Sequence, residues 1–353
     1  MWPYWILFAF FAAGALLAGP DLRRSKPLGV PLLFGALAIV IFVGLRYKTG
    51  TDWGNYQRQW VEAESLTLDS LITIHNGDAG FYTLMWLLKS AGAEYWVLNL
   101  ICAAIFTFGL FAFAKRLPNP WLAVAVATPY LVIVIAMSTT RQATAIGFVF
   151  LALVAFKRGN NVGFIIWILI AAAFHSSAIV VMPFAGLSVA RNRFQSIALI
   201  LITAVAAYFT FGSTFSEYTR DYLGRYTVTS SGTIYRIVMN IVPAAIYLLA
   251  MRRLPFPPQE RILWRNFSLL AFLSVPLLYV IQSSTALDRI LLYAFPLQIM
   301  MLSWTPYLFK GRVQQIAIIF LIMIYLAIQQ YVFFNFAVNA DAHLPYRNIL
   351  FSD

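Results

Sequence analysis

Charge is scarce in this chain of 353 residues: Asp, Glu, Lys and Arg together make up 11%, against about 25% in a soluble domain. A water-soluble fold of this length would have too little polar surface to stay in solution, so that class is excluded. Acids are scarcer still, 13 against 25 basic residues, and no cluster of them calls for a divalent metal. Cysteine occurs once, as Cys102 inside an apolar run, which rules out a disulfide within the chain and leaves the redox compartment unread. His75, His175 and His343 are the only histidines, and their spacing is none of those that mark a zinc site. Also missing are a Walker loop, a Gly-rich strand-to-helix turn and an Asp-x-Asp pair. Those absences speak against ATP-driven work and against a cytosolic nucleotide-sugar donor. The short alternating segments of an outer-membrane barrel are absent too.

What the chain has is apolar length. Hydrophobic residues make up 61% and the mean hydropathy is +0.77. They fall in runs near twenty residues long, enough for a helix to cross about 30 Å of hydrocarbon. Backbone that crosses lipid must satisfy its own hydrogen bonds, so these runs read as helices. The expectation is one all-α, polytopic transmembrane domain over 1–353 with about 12 spans, range about 10–13. They are placed at 2–19, 29–45, 95–114, 120–137, 142–156, 162–174, 177–190, 194–211, 236–251, 266–283, 288–309 and 313–335.

Basic residues orient this threading. Fifteen of the 25, from Arg23, Arg24 and Lys26 to Lys310 and Arg312, fall in six short loops on one side whose only acids are Asp21 and Glu260. The other ten share the opposite side with eleven acids. The formal +12 is therefore a positive-inside signal and does not indicate a nucleic-acid surface. The opening Met1–Phe8 stretch has no basic residue before it, the reverse of a cleavable signal. Both termini are thus expected outside an inner (cytoplasmic) membrane. The inner loops are too short for a nucleotide-binding domain, whereas the outer segments 46–94, 212–235 and 337–353 are elaborate, and the first two are expected to cover a site. Phe81 to Ala91 is too short to cross and reads as an interfacial or re-entrant helix. The hairpin 162–190 turns below the outer surface, which puts His175, Ser176 and Ser177 at the floor of an outward-facing cavity.

Several polar residues need an explanation at such depth. Arg141 follows Ser138, Thr139 and Thr140 at a helix start; hydroxyl capping and free N–H groups there suit an anion such as phosphate, with Gln142 beside it. Arg46 opens a Gly-rich stretch with Asp52, Trp53, Asn55 and Tyr56 that resembles a sugar-binding or acid/base loop. Asp288 and Arg289 open the 288–309 span, with Tyr293 one turn on. His175 titrates near neutral pH. Arg220, Arg225 and Arg236, interleaved with Tyr218, Tyr222, Tyr226 and Tyr235, suit a glycan–pyrophosphate ligand. Each has a plainer reading as well: snorkelling arginines, interfacial anchors, or a hydrogen-bonded structural histidine.

Together, Arg46…Gly50-Thr51-Asp52-Trp53…Tyr56, Gly80-Phe81, Arg141-Gln142-x-x-Ala145, Phe174-His175-Ser176-Ser177-Ala178 and Asp288-Arg289 resemble the EpsG-type, Wzy-like polysaccharide polymerases, in order and spacing over roughly 40–295. Asp78 stands where that pattern has Glu. The resemblance implies a GT-C-like membrane glycosyltransferase that uses polyprenyl-pyrophosphate-linked oligosaccharides as donor and acceptor, in exopolysaccharide or O-antigen synthesis. Arg46, Arg141 and Arg289 would hold the pyrophosphate, with Gln142, Tyr293, Arg225, Arg236 and Tyr56 lining the substrate. Asp52 or His175 would orient or deprotonate the acceptor hydroxyl. No metal or other cofactor is expected, and the expected partners are membrane lipids and a chain-length regulator. A glycan ligase, a single-sugar lipid-linked glycosyltransferase and a transporter of lipid-linked glycan stay open, although a transporter should show internal repeats and none is visible.

Overall fold

The computed structural model describes residues 1–20, 29–75, 77–189, 194, 232–280 and 284–351. Among these no strand forms, and the chain is helical nearly throughout. The helices are α1 (Trp2–Ala18), α2 (Gly29–Gly44), α3 (Trp53–Glu62), α4 (Leu68–Ile74), α5 (Ala79–Ser90), α6 (Tyr95–Ala114), α7 (Pro120–Ser138), α8 (Thr140–Lys157), α9 (Asn161–Phe174), α10 (Met182–Val189), α11 (Thr233–Ala250), α12 (Pro258–Val280), α13 (Ser284–Leu291), α14 (Phe295–Trp304) and α15 (Arg312–Phe336). Six of them, α6, α7, α8, α11, α12 and α15, are long and apolar enough to cross a membrane. Four shorter apolar stretches add to these: α1, α2, α9 and Ser176–Ser188. The protein is a polytopic helical membrane protein.

The stretch 194–211 lies outside the described residues apart from Phe194, as do Arg220, Arg225 and most of 212–235. The stretch 288–309 is not one helix: α13 ends at Leu291, a 3₁₀ turn covers Leu292–Ala294, α14 follows, and a second 3₁₀ turn covers Thr305–Leu308. Pro296 and Pro306 each lack the N–H that would continue a helix, and each sits in the first turn of a new element instead. Asp288 and Arg289 therefore close a short helix and do not open a span.

Local chemistry sets the other boundaries. Asn119 caps α7 by accepting from the Leu122 N–H at 3.0 Å, with Pro120 at the first helical position. Pro129 cannot donate, and the middle of α7 widens to a π-helix over Thr128–Ile135. Helices α6 and α8 meet backbone to backbone: a Cβ on Gly109 would lie 2.0 Å from the Gly147 carbonyl oxygen, the close approach that small residues permit between membrane helices.

The two ends of the bundle differ chemically. At one, Lys157 donates to the Arg116 carbonyl at 3.3 Å and pairs with Glu260 at 3.6 Å. The other carries a helical cap. Segment 46–94 folds into α3, α4 and α5 around its own core of Tyr56, Trp60, Leu71, Phe81, Tyr82 and Met85, which continues onto Leu98 and Cys102 of α6. The short apolar Phe81–Ala91 stretch is thus a cap helix packed on α4, α6 and α9. The tail after α15 straps the cap to the bundle. Tyr47 N–H donates to the Arg347 carbonyl at 3.0 Å, Gly50 N–H to Ala342 at 2.7 Å and Ile349 N–H to Leu45 at 2.8 Å, while Tyr346 stacks on Phe42 at 4.3 Å. Gly50 has φ +101, and a Cβ there would lie 1.9 Å from the Met137 carbonyl oxygen. No other residue fits that turn.

Candidate functional site

The polar end is organised around Asp78. This residue precedes α5 with φ +54, a left-handed conformation that Asp and Asn tolerate better than other side chains. The turn aims its carboxylate into the junction of α5, α8 and α9. One oxygen accepts from Arg141 at 2.9 Å and from His175 Nδ1 at 3.0 Å; the other accepts from the Ser176 N–H at 2.9 Å. The chain can deliver that N–H because α9 stops at Phe174 and His175 is extended before a 3₁₀ turn over Ser176–Val181. Burial alone would raise the Asp78 pKa; the hydrogen bonds from His175 and Ser176 and the charge of Arg141 outweigh it and hold the carboxyl below its usual range. His175 Nε2 is buried and has no partner among the described residues.

Arg141 sits in an aromatic nest, its guanidinium 5.6 Å from the ring centroids of Tyr56 and Tyr82 and 6.0 Å from that of Phe81. It also donates to the Tyr82 hydroxyl at 3.1 Å. The expected hydroxyl capping of α8 does not occur. Thr139 turns its hydroxyl back to the Ile135 carbonyl, Thr140 accepts from Arg46, and Ser138 pairs with His343. Short hydroxyls at a helix junction bond whichever partner lies nearest.

Beyond Arg141 the cap opens into a cleft of about 380 Å³, bordered by Asp52 and Tyr56 at the start of α3, by Gln59 and Glu62 farther along it, and by His75, Arg141 and Arg289. Asp52 ends the loop fixed by the tail and stands just before α3. Burial pushes its carboxyl up, an effect opposed by a Thr51 hydrogen bond and by the charges of Arg141, Arg289 and Arg46. Arg289 is exposed on α13, and its backbone carbonyl accepts from Gln142 at 2.8 Å. Gln142 is thus spent on holding α13 against α8.

Not all the residues singled out from sequence come together here. Arg46 is 2% exposed and lies beneath the cleft, donating to the Val43 carbonyl at 2.6 Å, Thr140 at 2.7 Å and Asn99 at 3.3 Å. Tyr293 is buried and pairs with Ser177 at 3.2 Å. Arg236 is bound to Asp288 at 2.7 Å and to the Tyr130 hydroxyl, joining α11, α13 and α7. Tyr56 is largely buried under Arg141 but does reach the cleft. Arg225 lies outside the described residues. The structure adds Asp78, whose only sequence signal was its place before Gly80-Phe81, and puts Arg58, Gln59, Glu62 and His75 on the cleft beside Asn55. Arg58, Gln59 and Glu62 look like the polar face of a solvated helix until the fold brings His75, at the end of α4, against Glu62.

The EpsG family model matches residues 30–348. The chain belongs to the EpsG family. No curated protein and no solved structure matches it. Membership supports a polysaccharide polymerase-like membrane protein, and the matched region takes in the cap, the cleft and the strap residues Arg347 and Asn348.

Proposed function

We propose that this EpsG-family protein polymerises polyprenyl-pyrophosphate-linked oligosaccharides on the outer face of the bacterial inner membrane, in exopolysaccharide or O-antigen synthesis. One observation carries the reading: a half-buried carboxylate, Asp52, shares an open cleft with the guanidinium groups of Arg141 and Arg289. A transfer from a pyrophosphate leaving group needs a base for the acceptor hydroxyl and fixed positive charge for the departing oxygens.

In this mechanism Arg289 and Arg141 bind the donor pyrophosphate. The acceptor hydroxyl oxygen attacks the anomeric carbon. The carbon–oxygen bond to the pyrophosphate breaks, its electron pair leaves with the pyrophosphate, and the hydroxyl proton passes to Asp52. Burial of Asp52 makes its carboxylate a stronger base than an exposed one. His175 does not border the cleft and reaches it through Asp78 and Arg141, so its role is to position Asp78. Asp52 is the base. The guanidinium groups provide the charge that a divalent ion would otherwise supply, so turnover is independent of added metal.

The test is reconstitution of the purified protein with a polyprenyl-pyrophosphate oligosaccharide, read on a gel. A ladder that survives chelator and disappears in Asp52→Asn supports the reading. No ladder with the cognate glycan, but movement of that lipid across vesicles, would replace the enzyme with a transporter.

A further inference from the structure

The cleft is longer than the pyrophosphate end requires. From Asp52 at the start of α3 to Glu62 at its last turn the helix rises about 15 Å. Asn55, Gln59 and Glu62 recur at the spacing that keeps side chains on one helix face, and all three border the same cleft. A polar face of this kind is ordinarily just solvated. Here the row is tied to neighbours that border the same cleft or back it: His75 lies flat against Tyr82, with ring centroids 5.0 Å apart and planes 12° apart, and its Nε2 bonds Glu62 at 3.1 Å.

The hydrogen-bonding capacity left over along this row is ordered. The side-chain oxygen of Asn55 accepts from Arg58, and that of Gln59 accepts from the Tyr82 hydroxyl at 3.4 Å. Each amide therefore keeps its NH₂ to donate. Glu62 binds His75 through one oxygen and is half exposed, so its carboxylate can still accept. Arg58, which also borders the cleft, is turned onto Asn55; the two amide donors and the acceptor that remain suit the ring and hydroxyl oxygens of a glycan better than a second phosphate, which Glu62 would repel.

We propose that Asn55, Gln59, Glu62 and His75 form a rail for the acceptor glycan, holding the sugars that lie beyond the one attacked at Asp52. The inference rests on the polymerase reading for the identity of the ligand. It commits to the acceptor because the sugar whose hydroxyl reaches Asp52 sits over the first turn of α3. The rest of the same oligosaccharide then runs along that helix. The length suits a short oligosaccharide and exceeds a single ring, which makes these residues determinants of which repeat unit is accepted.

The test uses the full-length protein in detergent and, as probe, the repeat-unit oligosaccharide freed from its lipid pyrophosphate by mild acid. Titration calorimetry should show binding to the wild type that is about tenfold weaker in Asn55→Asp and in Gln59→Ala, each having lost one hydrogen bond or gained a repulsive oxygen. Arg289→Ala should bind this uncharged probe as the wild type does. Asn55 is exposed, so Asn55→Asp reads recognition and not folding. If the wild type forms the ladder and yet binds the oligosaccharide no better than the two rail variants, the rail is overturned and the polymerase stands. If the wild type forms no ladder but binding falls in those variants, the rail stands as a glycan site and the polymerase reading fails.

Discussion

Asp78→Asn is the sharpest test of how the site is held together. The swap is nearly isosteric, and Asn accepts the left-handed φ of +54 as readily as Asp, so the backbone is not disturbed. What changes is the acceptor set. Asp78 takes three hydrogen bonds with its two oxygens, from Arg141, His175 and Ser176. An amide offers one oxygen, and its NH₂ must face a donor whichever way it turns. Either it meets the Ser176 N–H, or it meets the Arg141 guanidinium and His175 Nδ1–H together. The Asp78 side chain is 7% exposed and that of Arg141 23%, so water replaces little of what is lost. Losing a charge-assisted bond costs about 1.5–3 kcal/mol, and breaking a buried ion pair about 3–5 kcal/mol. A loss of about 3 kcal/mol is expected, read as unfolding free energy by denaturant titration in mixed micelles. The pH dependence has a definite sign. The folded carboxyl titrates below its ordinary value of 3.8, so its stabilisation is complete above that value and disappears as pH falls through the lower folded one. The gap between wild type and variant should therefore be full at neutral pH and close in strong acid. A variant within about 0.5 kcal/mol of the wild type at pH 7 would show that Asp78 organises nothing.

Other substitutions separate chemistry from support. Asp52→Asn should slow turnover about 10²- to 10⁴-fold without lowering stability at neutral pH. Its folded carboxyl titrates above 3.8, so ionisation costs the fold as pH rises, and the acid limb of wild-type turnover should be displaced upward in a pH–rate profile. Arg289→Ala should raise the barrier by about 2–4 kcal/mol in kcat and leave the unfolding midpoint alone, since the side chain is exposed. Arg46→Lys should do the opposite. A point charge cannot reproduce bonds to both Asn99 and Thr140, so about 2–4 kcal/mol of stability goes. Turnover in EDTA should equal that in magnesium; a rate lost to chelator and restored by the ion would contradict the base-and-guanidinium mechanism.

The helical membrane class was readable from composition, because lipid leaves backbone so few options. Six of the expected runs recur as helices long and apolar enough to cross, because each is an apolar run with a basic loop at one end. The 288–309 run is broken into shorter helices and 3₁₀ turns for a local reason: hydropathy averages over Pro296 and Pro306, while hydrogen bonding does not. At the site, burial and pairing sorted the arginines in a way that residue type could not. Arg46, Arg141 and Arg289 look equivalent as cations near helix ends. Once folded, one is sealed beneath the cleft, one is half spent on Asp78, and one reaches open space.

Asp52 shows where local reading stops. Its position depends on a loop whose N–H groups are taken by Ala342 and Arg347, on a Thr51 N–H that reaches Ser138 at 3.4 Å, and on Ser138 being held in turn by His343 at 3.2 Å. Partners almost 300 residues apart in sequence leave no periodicity and no motif to find. They also tie the cap to the bundle at several points. Three short helices with one small core would be marginal alone, but strapped to α2, α7 and the tail they hold the Asp52 carboxylate in place at the cleft. A general base must be held within reach of the proton it takes, and in the proposed mechanism that order is supplied by Ala342, His343 and Arg347, almost 300 residues from the carboxylate they fix.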